Sequence, residues 1–99
     1  MLTSKQRAYL RRLANPIEPI FQIGKAGITD ETVKQTALAL EARELIKINN
    51  HETALLETNA CCNELSCRLG AEPVQAIGSK FVIYKRADKP ANRKIELPH

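Results

Sequence analysis

The chain is poor in aromatic residues and has few cysteines and histidines. Its 99 residues include no Trp, two Tyr, two Phe, three Cys and two His. With so few rings, a site built mainly on aromatic stacking is a poor interpretation. The length suffices for one compact domain with one hydrophobic core, and it is too short for an enzyme with a cleft between two lobes.

The three cysteines predict neither a disulfide framework nor a metal site. Cys61 and Cys62 are sequence neighbours, which would pair only with strain, and Cys67 leaves the set odd. On the helix predicted for this region, Cys62 points to the core, Cys61 to its edge and Cys67 to roughly the opposite side. These thiols and His51 therefore do not converge on one tetrahedral ion, and we expect no metal and no cofactor.

The common signatures of enzymes are missing as well. Neither G-x-x-x-x-G-K-[ST] nor G-x-G-x-x-G occurs, and no Ser or Cys plus acid pattern accompanies His51 or His99. Glu41 and Glu44 lie one helical turn apart, and such pairs are usually solvent-facing charges. We therefore expect a protein that is not an enzyme and has no small-molecule substrate.

No segment of the sequence is typical of a membrane span or a signal peptide. No run approaches the roughly 18 apolar residues that a span requires, and the N-terminus lacks an apolar core followed by small residues. We expect a cytoplasmic protein without a membrane partner.

Positive charge is concentrated at the two ends of the chain, whose formal net charge is +4. The middle carries more acids than bases. Basic ends predict an anionic partner, with nucleic acid first and an anionic membrane surface second, and solvated charge that aids solubility is the alternative. The terminal cations are Lys5, Arg7, Arg11 and Arg12 at the N-terminal end and Lys85, Arg86, Lys89, Arg93 and Lys94 at the C-terminal end.

Hydrophobic periodicity and turn residues predict a single α/β domain with the order α-β-α-β-α-β-β. The predicted helices cover residues 4–14, about 30–43 and about 53–69, and the strands cover 20–23, 45–48, 74–77 and 80–85. Residues 49–51 are predicted as a polar break, and residues 78–79 as a type II′ turn. The result is a mixed four-stranded sheet with three helices, whose strand order stays open.

Several expectations concern packing. The second helix is expected to face the core with Val33, Ala37 and Leu40. The second and third helices share one face of the sheet if their crossovers are right-handed. The first helix then packs on the remaining surface, with its basic side near residues 24–27. Residues 1–86 are expected to form the domain, and 87–99 a mobile basic tail.

The most informative local motif is Gly24-Lys25-Ala26-Gly27, between a predicted strand and a predicted helix. The glycines let the backbone take positive φ and approach a ligand, amides at a helix start attract phosphate, and Lys25 adds a point charge. KH domains clamp a nucleic-acid backbone with such a loop. A tight strand-to-helix turn is the alternative and, for this spacing taken alone, the stronger interpretation.

The chain contains a long ordered series of short motifs: LTSKQR (2–7), YLR (9–11), PIFQIGKAGIT (19–29), LEARELIK (40–47), VQAIGS (74–79) and FVIYK (81–85). Taken in order, these motifs resemble those of bacterial CRM-domain proteins of the YhbY type. The resemblance covers about residues 2–86, and the long ordered series is far more specific than the G-x-x-G motif alone. Two departures are Asn49-Asn50-His51, which is expected to shorten the second strand, and Lys85, where an Arg is expected. Lysine offers phosphate a point charge instead of a bidentate contact.

This resemblance implies an RNA-binding domain similar to the C-terminal domain of translation initiation factor three. Stand-alone bacterial members are associated with precursors of the large ribosomal subunit, and the G-x-x-G loop is taken as their RNA contact. We therefore predict a monomer that binds ribosomal RNA in such precursors. The alternative is a protein-interaction module on a ribosome or translation factor, without direct RNA contact. The predicted contacts are Gly24, Lys25, Ala26 and Gly27 of the loop, with Lys5, Arg7, Arg11, Arg12, Lys85 and Arg86.

The few rings sharpen this prediction. Phe21, Phe81 and Tyr84 are expected in the sheet, and Tyr9 on the buried side of the first helix. We therefore expect recognition through backbone amides, Lys and Arg, with little base stacking.

Overall fold

The computed structural model describes residues 2–52, 54 and 56–98. Within them, helices and strands follow one another in the predicted order, and the predicted α/β domain with its mixed four-stranded sheet is confirmed. A 3₁₀ turn at Pro90–Asn92 comes after the last strand. The elements are α1 (Ser4–Ala14), β1 (Phe21–Ile23), α2 (Asp30–Arg43), β2 (Leu45–Asn50), α3 (Thr58–Leu69), β3 (Glu72–Ile77) and β4 (Lys80–Tyr84).

Local capping residues fix several of the helix ends. The Thr3 hydroxyl accepts a hydrogen bond from the Gln6 amide at 3.1 Å, and the Gln6 side chain accepts one from the Thr3 amide at 3.0 Å. This reciprocal capping box starts α1. The Thr29 hydroxyl accepts from the Thr32 amide at 3.1 Å and starts α2. Gly70, with φ 65°, ends α3 in the left-handed conformation.

The strand order is β1-β2-β4-β3, with β1 parallel to β2 and the other pairs antiparallel. Alternate residues of a strand point to opposite faces. Ile46 and Ile48 of β2 therefore join α2 and α3 in one core cluster, whereas Leu45 joins Leu10 and Ala14 of α1 in a second. The sheet thus carries α1 on one face and the two crossover helices on the other.

Several boundaries and one helix face differ from the prediction; among the strands, β1 begins at Phe21, β3 begins at Glu72 and β4 ends at Tyr84. The helix α3 begins at Thr58 instead of near residue 53, and Leu56, whose carbonyl accepts from the Asn50 side chain at 2.9 Å, lies before it. The predicted helix positions Thr53 and Leu55 lie outside the described residues. In α2 the buried residues are Thr36 and Leu40, whereas Ala37 is exposed. The Thr36 hydroxyl donates to the Thr32 carbonyl at 2.6 Å.

The strand β2 does not stop at Ile48 but continues through the two asparagines. Asn49 is in register with Gln22 on one side and Lys80 on the other, and its side chain donates to the Gln22 side chain at 3.2 Å. Ladder partners on both sides outweigh the low strand propensity of asparagine.

Residues 87–98, here called the C-terminal segment, lie against the body of the protein. Ala87 is buried, and Ile95 and Leu97 pack on the cluster that contains Leu10, Val82 and Tyr84. The sequence predicts a domain over residues 1–86 followed by a mobile basic tail, and the contacts of Ala87, Ile95 and Leu97 continue the packing past residue 86.

Candidate nucleic-acid interface

The Gly24–Gly27 loop connects β1 to α2, and its tip faces solvent. Lys25 and Ala26 are exposed, and the Gly27 amide donates to the Gly24 carbonyl at 2.9 Å, which closes a tight turn. Gly27 has φ 71°, a conformation that favours glycine. A Cβ added to Gly24 would meet no atom within 4 Å, so this backbone borders open space. Another chain can therefore approach the loop closely.

The loop borders α3 on its inner side. A cavity of about 370 Å³ separates them, and its lining includes Ala26, Gly27, Cys61 and Arg68. Arg68 pairs with Glu64 of the same helix at 3.0 Å, and both side chains are nearly half exposed. Glu64 therefore offsets much of the Arg68 charge.

Electrostatics concentrate any anion contact on the loop itself. Asp30 and Glu31 occupy the first turn of α2, where they repel phosphate from the end of the helix. An anion approaching this edge therefore meets the loop amides and Lys25.

The basic side of α1 does not join this loop in one patch, contrary to the expectation. The helix packs on β2, β3 and β4 from one face of the sheet, whereas the loop leads into α2 on the other face. The crossover through α2 occupies that face and leaves the opposite one for α1. Of the predicted contacts on α1, Lys5, Arg11 and Arg12 are exposed and Arg7 is partly buried.

A second cationic region, the C-terminal cleft, lies between α1, the end of β4 and the C-terminal segment. It has a volume of about 1130 Å³. Its cations are Arg86, Arg93 and Lys94, with Glu96 as the carboxylate. The sequence predicted Arg86 as a contact and placed Arg93 and Lys94 in a tail, because no local pattern signals that the chain folds back.

The apolar wall of the C-terminal cleft contains both tyrosines of the chain. Tyr9 and Tyr84 line it together with Ile95 and Leu97. Tyr9 is only partly buried, contrary to the expected burial, and the Arg12 guanidinium carbon lies 5.9 Å from its ring centroid. Such a pair is a cation–π contact. The structure therefore places Arg12 and Arg86 near one cleft, away from Lys25.

Glu44 holds the C-terminal segment that closes this cleft. Its carboxylate is fully buried and accepts hydrogen bonds from the amides of Ala87 at 2.8 Å, Lys94 at 2.7 Å and Ile95 at 3.0 Å. Burial raises the pKa of Glu44, but these donors and the nearby Arg86 charge outweigh it and hold the pKa below its ordinary value. The interpretation of Glu44 as a solvent-facing charge is wrong, because the partners that bury it lie far along the chain.

Glu41 adds a more exposed attachment to the same segment. It accepts from the Asn92 side chain and the Asp88 amide, both at 2.7 Å, and from the Lys89 amide at 3.3 Å. The Asn92 donor and then the backbone donors hold the pKa of Glu41 below its ordinary value, although burial opposes them. Lys85, beside the cleft, is partly buried, and its amide donates to the Glu44 carbonyl at 2.9 Å.

The cysteines occupy two environments. Cys61 and Cys62 are buried in the core cluster of α2 and α3, and Cys67 is exposed. Burial raises the pKa of Cys61, and it raises that of Cys62 to about 11. Among residues 2–52, 54 and 56–98, no group of three or more His, Cys, Asp or Glu is arranged to hold a metal ion. The same part of the chain has no helix long and apolar enough to cross a membrane.

The fold and the exposed loop define a small α/β module that presents a G-x-x-G turn at the start of a helix. The model of the CRS1/YhbY (CRM) domain matches residues 2–85, and the chain belongs to this family. The resemblance inferred from the sequence motifs is thereby confirmed.

Relatives match the chain over nearly its whole length. It is 43% identical to the "Probable RNA-binding protein YqeI" of Bacillus subtilis, covering 99% of this chain and 100% of that protein. A Haemophilus influenzae protein named "RNA-binding protein" is 33% identical, with 98% and 95% covered. The solution structure of the hypothetical protein SAV1595 from Staphylococcus aureus is similar with a TM-score of 0.81 and 46% identity, covering 99% and 100%. These relatives carry names of RNA-binding proteins and not of enzymes, in agreement with the prediction that the chain is not an enzyme.

Proposed function

We propose that this protein binds ribosomal RNA during assembly of the large ribosomal subunit, as a cytoplasmic monomer, and that its Gly24–Gly27 loop contacts the RNA backbone. The observation that carries the proposal is the loop, in which Lys25 is exposed and Gly24 borders open space. Membership of the CRM family and the names of the relatives support RNA as the partner.

Contacts of this kind recognise the shape of an RNA. Backbone amides and Lys25 meet phosphate oxygens, which position a protein on a nucleic acid but carry no base identity. Double-stranded RNA is recognised mainly by shape and through its phosphates and 2′-hydroxyls. We therefore expect the loop to select structured RNA more than a base sequence.

The loop is tested by the salt dependence of RNA affinity. Lys25→Ala should weaken binding and lower the slope of log affinity against log salt by about 0.7–0.9, the value for one lost phosphate contact. Lys34→Ala removes the same charge from an exposed position on α2 and is the matched control. Equal changes of affinity and salt slope in the two variants would show that Lys25 makes no specific contact with the RNA.

Gly24→Ala tests close approach without a charge change. The added methyl group meets no protein atom within 4 Å, and Gly24 has no positive φ, so the variant should fold as the wild type does. If the RNA backbone lies against this loop, the same methyl group should weaken binding. Unchanged affinity would show that no RNA lies over Gly24.

The ribosomal part of the proposal is tested in cells. Crosslinking followed by sequencing of the attached RNA should enrich ribosomal RNA of the large subunit, and a scatter over unrelated transcripts would contradict that assignment. Gradient fractionation before and after ribonuclease separates RNA binding from docking on a ribosomal protein. A module docked on protein would stay in the protein complexes after the RNA is digested.

A further inference from the structure

The C-terminal cleft combines cations and rings in one concave site. Arg86, Arg93 and Lys94 bring positive charge to it, and the partly buried Tyr9 brings aromatic surface beside the almost fully buried Tyr84. Its volume of about 1130 Å³ slightly exceeds the roughly 300–1,000 Å³ of typical small-ligand pockets. A nucleotide with its flanking phosphates fits a site of that size and composition.

Arg93 is positioned before any ligand arrives. Its Nε donates to the Ala87 carbonyl at 2.9 Å and an Nη to the Asp88 carbonyl at 3.2 Å. A guanidinium has five N–H donors in a fixed fork, so donors remain for a phosphate. Because the side chain is already held, little conformational entropy is lost on binding.

We propose that the C-terminal cleft binds one unpaired nucleotide of the RNA, with the base against the Tyr9 side and the phosphates at Arg86, Arg93 and Lys94. This inference rests on the proposed RNA-binding function and assigns a second contact to it, on the other face of the sheet from the Gly24–Gly27 loop. Bases stack on aromatic side chains in proteins that bind unpaired strands, with little sequence preference.

Tyrosine fluorescence reports on this cleft directly. The chain has no Trp, and both of its tyrosines line the cleft. Titration with a uridine hexanucleotide should quench this fluorescence, after correction for absorption with free N-acetyltyrosinamide. A blunt RNA duplex should bind without comparable quenching.

Two double variants with equal charge loss test the phosphate contacts. Arg86→Ala/Lys94→Ala should lower the salt slope of hexanucleotide binding by about 1.4, or about 0.7 for each lost contact. Lys34→Ala/Lys89→Ala should leave the slope unchanged, because Lys34 and Lys89 are exposed and do not line the cleft. Circular dichroism checks that each variant is folded. The fluorescence titration of the wild type does not depend on the folding of any variant.

The outcomes separate this inference from the proposed function. Binding of structured RNA without quenching by the hexanucleotide would overturn the cleft assignment and leave the function of the loop intact. Equal effects of the two double variants would mean diffuse attraction and would also overturn it. Equal quenching by a polyglutamate peptide would identify an acidic protein segment as the occupant. Failure of the wild type to bind any RNA would refute the proposed function itself.

Discussion

Removing the Glu44 carboxylate should detach the C-terminal segment and lower the stability of the whole domain. In Glu44→Ala, the amides of Ala87, Lys94 and Ile95 lose their acceptor. Hydrogen bonds to a charged group contribute a net stabilisation of about 1.5–3 kcal/mol each. Removing the buried carboxylate also relieves its desolvation, which leaves a loss of about 1 kcal/mol for each bond. We therefore expect the free energy of unfolding to fall by about 3 kcal/mol.

That loss is large beside the roughly 5–15 kcal/mol by which small domains are stable. At about 4–8 °C for each kcal/mol, the melting temperature should fall by about 12 °C or more. Urea unfolding followed by circular dichroism gives the free energy. Trypsin cleavage after Arg93 or Lys94, both exposed positions of the C-terminal segment, reports its release.

Two further variants make the test specific. Glu18→Ala removes an exposed carboxylate from the connection between α1 and β1, and it should change neither the stability nor the cleavage rate. Glu44→Gln keeps one oxygen as an acceptor, so its loss should lie between those of wild type and Glu44→Ala. If the free energy of unfolding of Glu44→Ala lies within about 0.5 kcal/mol of the wild-type value, the carboxylate does not anchor the segment.

Three other predictions concern acid, thiols and the core. The folded pKa of Glu44 lies below its unfolded value of about 4.3, so its stabilisation is present above that pH and is lost as the pH falls through the folded pKa. The difference in unfolding free energy between wild type and Glu44→Ala should therefore shrink in acid. A difference that stays constant from pH 7 to 3 would contradict the assignment. A disulfide reagent should label Cys67 in the native protein, and Cys61 and Cys62 only in denaturant, as counted by mass spectrometry against the fully unfolded chain. Phe81→Ala should lower the free energy of unfolding in urea by about 3–5 kcal/mol, because this ring is fully buried in the core cluster. A decrease below about 1 kcal/mol would contradict its place there.

Local signals in the sequence predicted most of the elements. The α2 boundaries were correct because Thr29 caps the helix start, acids fill its first turn, and apolar residues recur at helical spacing up to Leu40. The Gly78 turn was recognised from two residues, and its φ of 60° agrees with the first central position of a type II′ turn. Each of these signals acts within one or two turns of chain.

What the sequence did not predict depends on partners far along the chain. The Glu44 carboxylate meets an amide 43 residues away, and no periodicity or turn signal encodes that pairing. The Glu44 carboxylate also binds the amides of Lys94 and Ile95, which places residues of the predicted tail in the wall of the cleft. The position of α1 relative to the Gly24–Gly27 loop depends likewise on which face of the sheet the crossover leaves open.

The helix α2 separates the two proposed RNA contacts. The Gly24–Gly27 loop precedes its N-terminus, and Glu44, which holds the cleft wall, follows its C-terminus. Its 14 residues rise about 21 Å, well beyond the roughly 7–10 Å within which mutations couple. The losses of binding free energy in Lys25→Ala and in Arg86→Ala/Lys94→Ala should therefore add within about 0.5 kcal/mol when combined on one structured RNA. A combined loss no larger than the greater of the two would mean that both act on a single contact, because independent contacts on opposite faces of the sheet cannot substitute for each other.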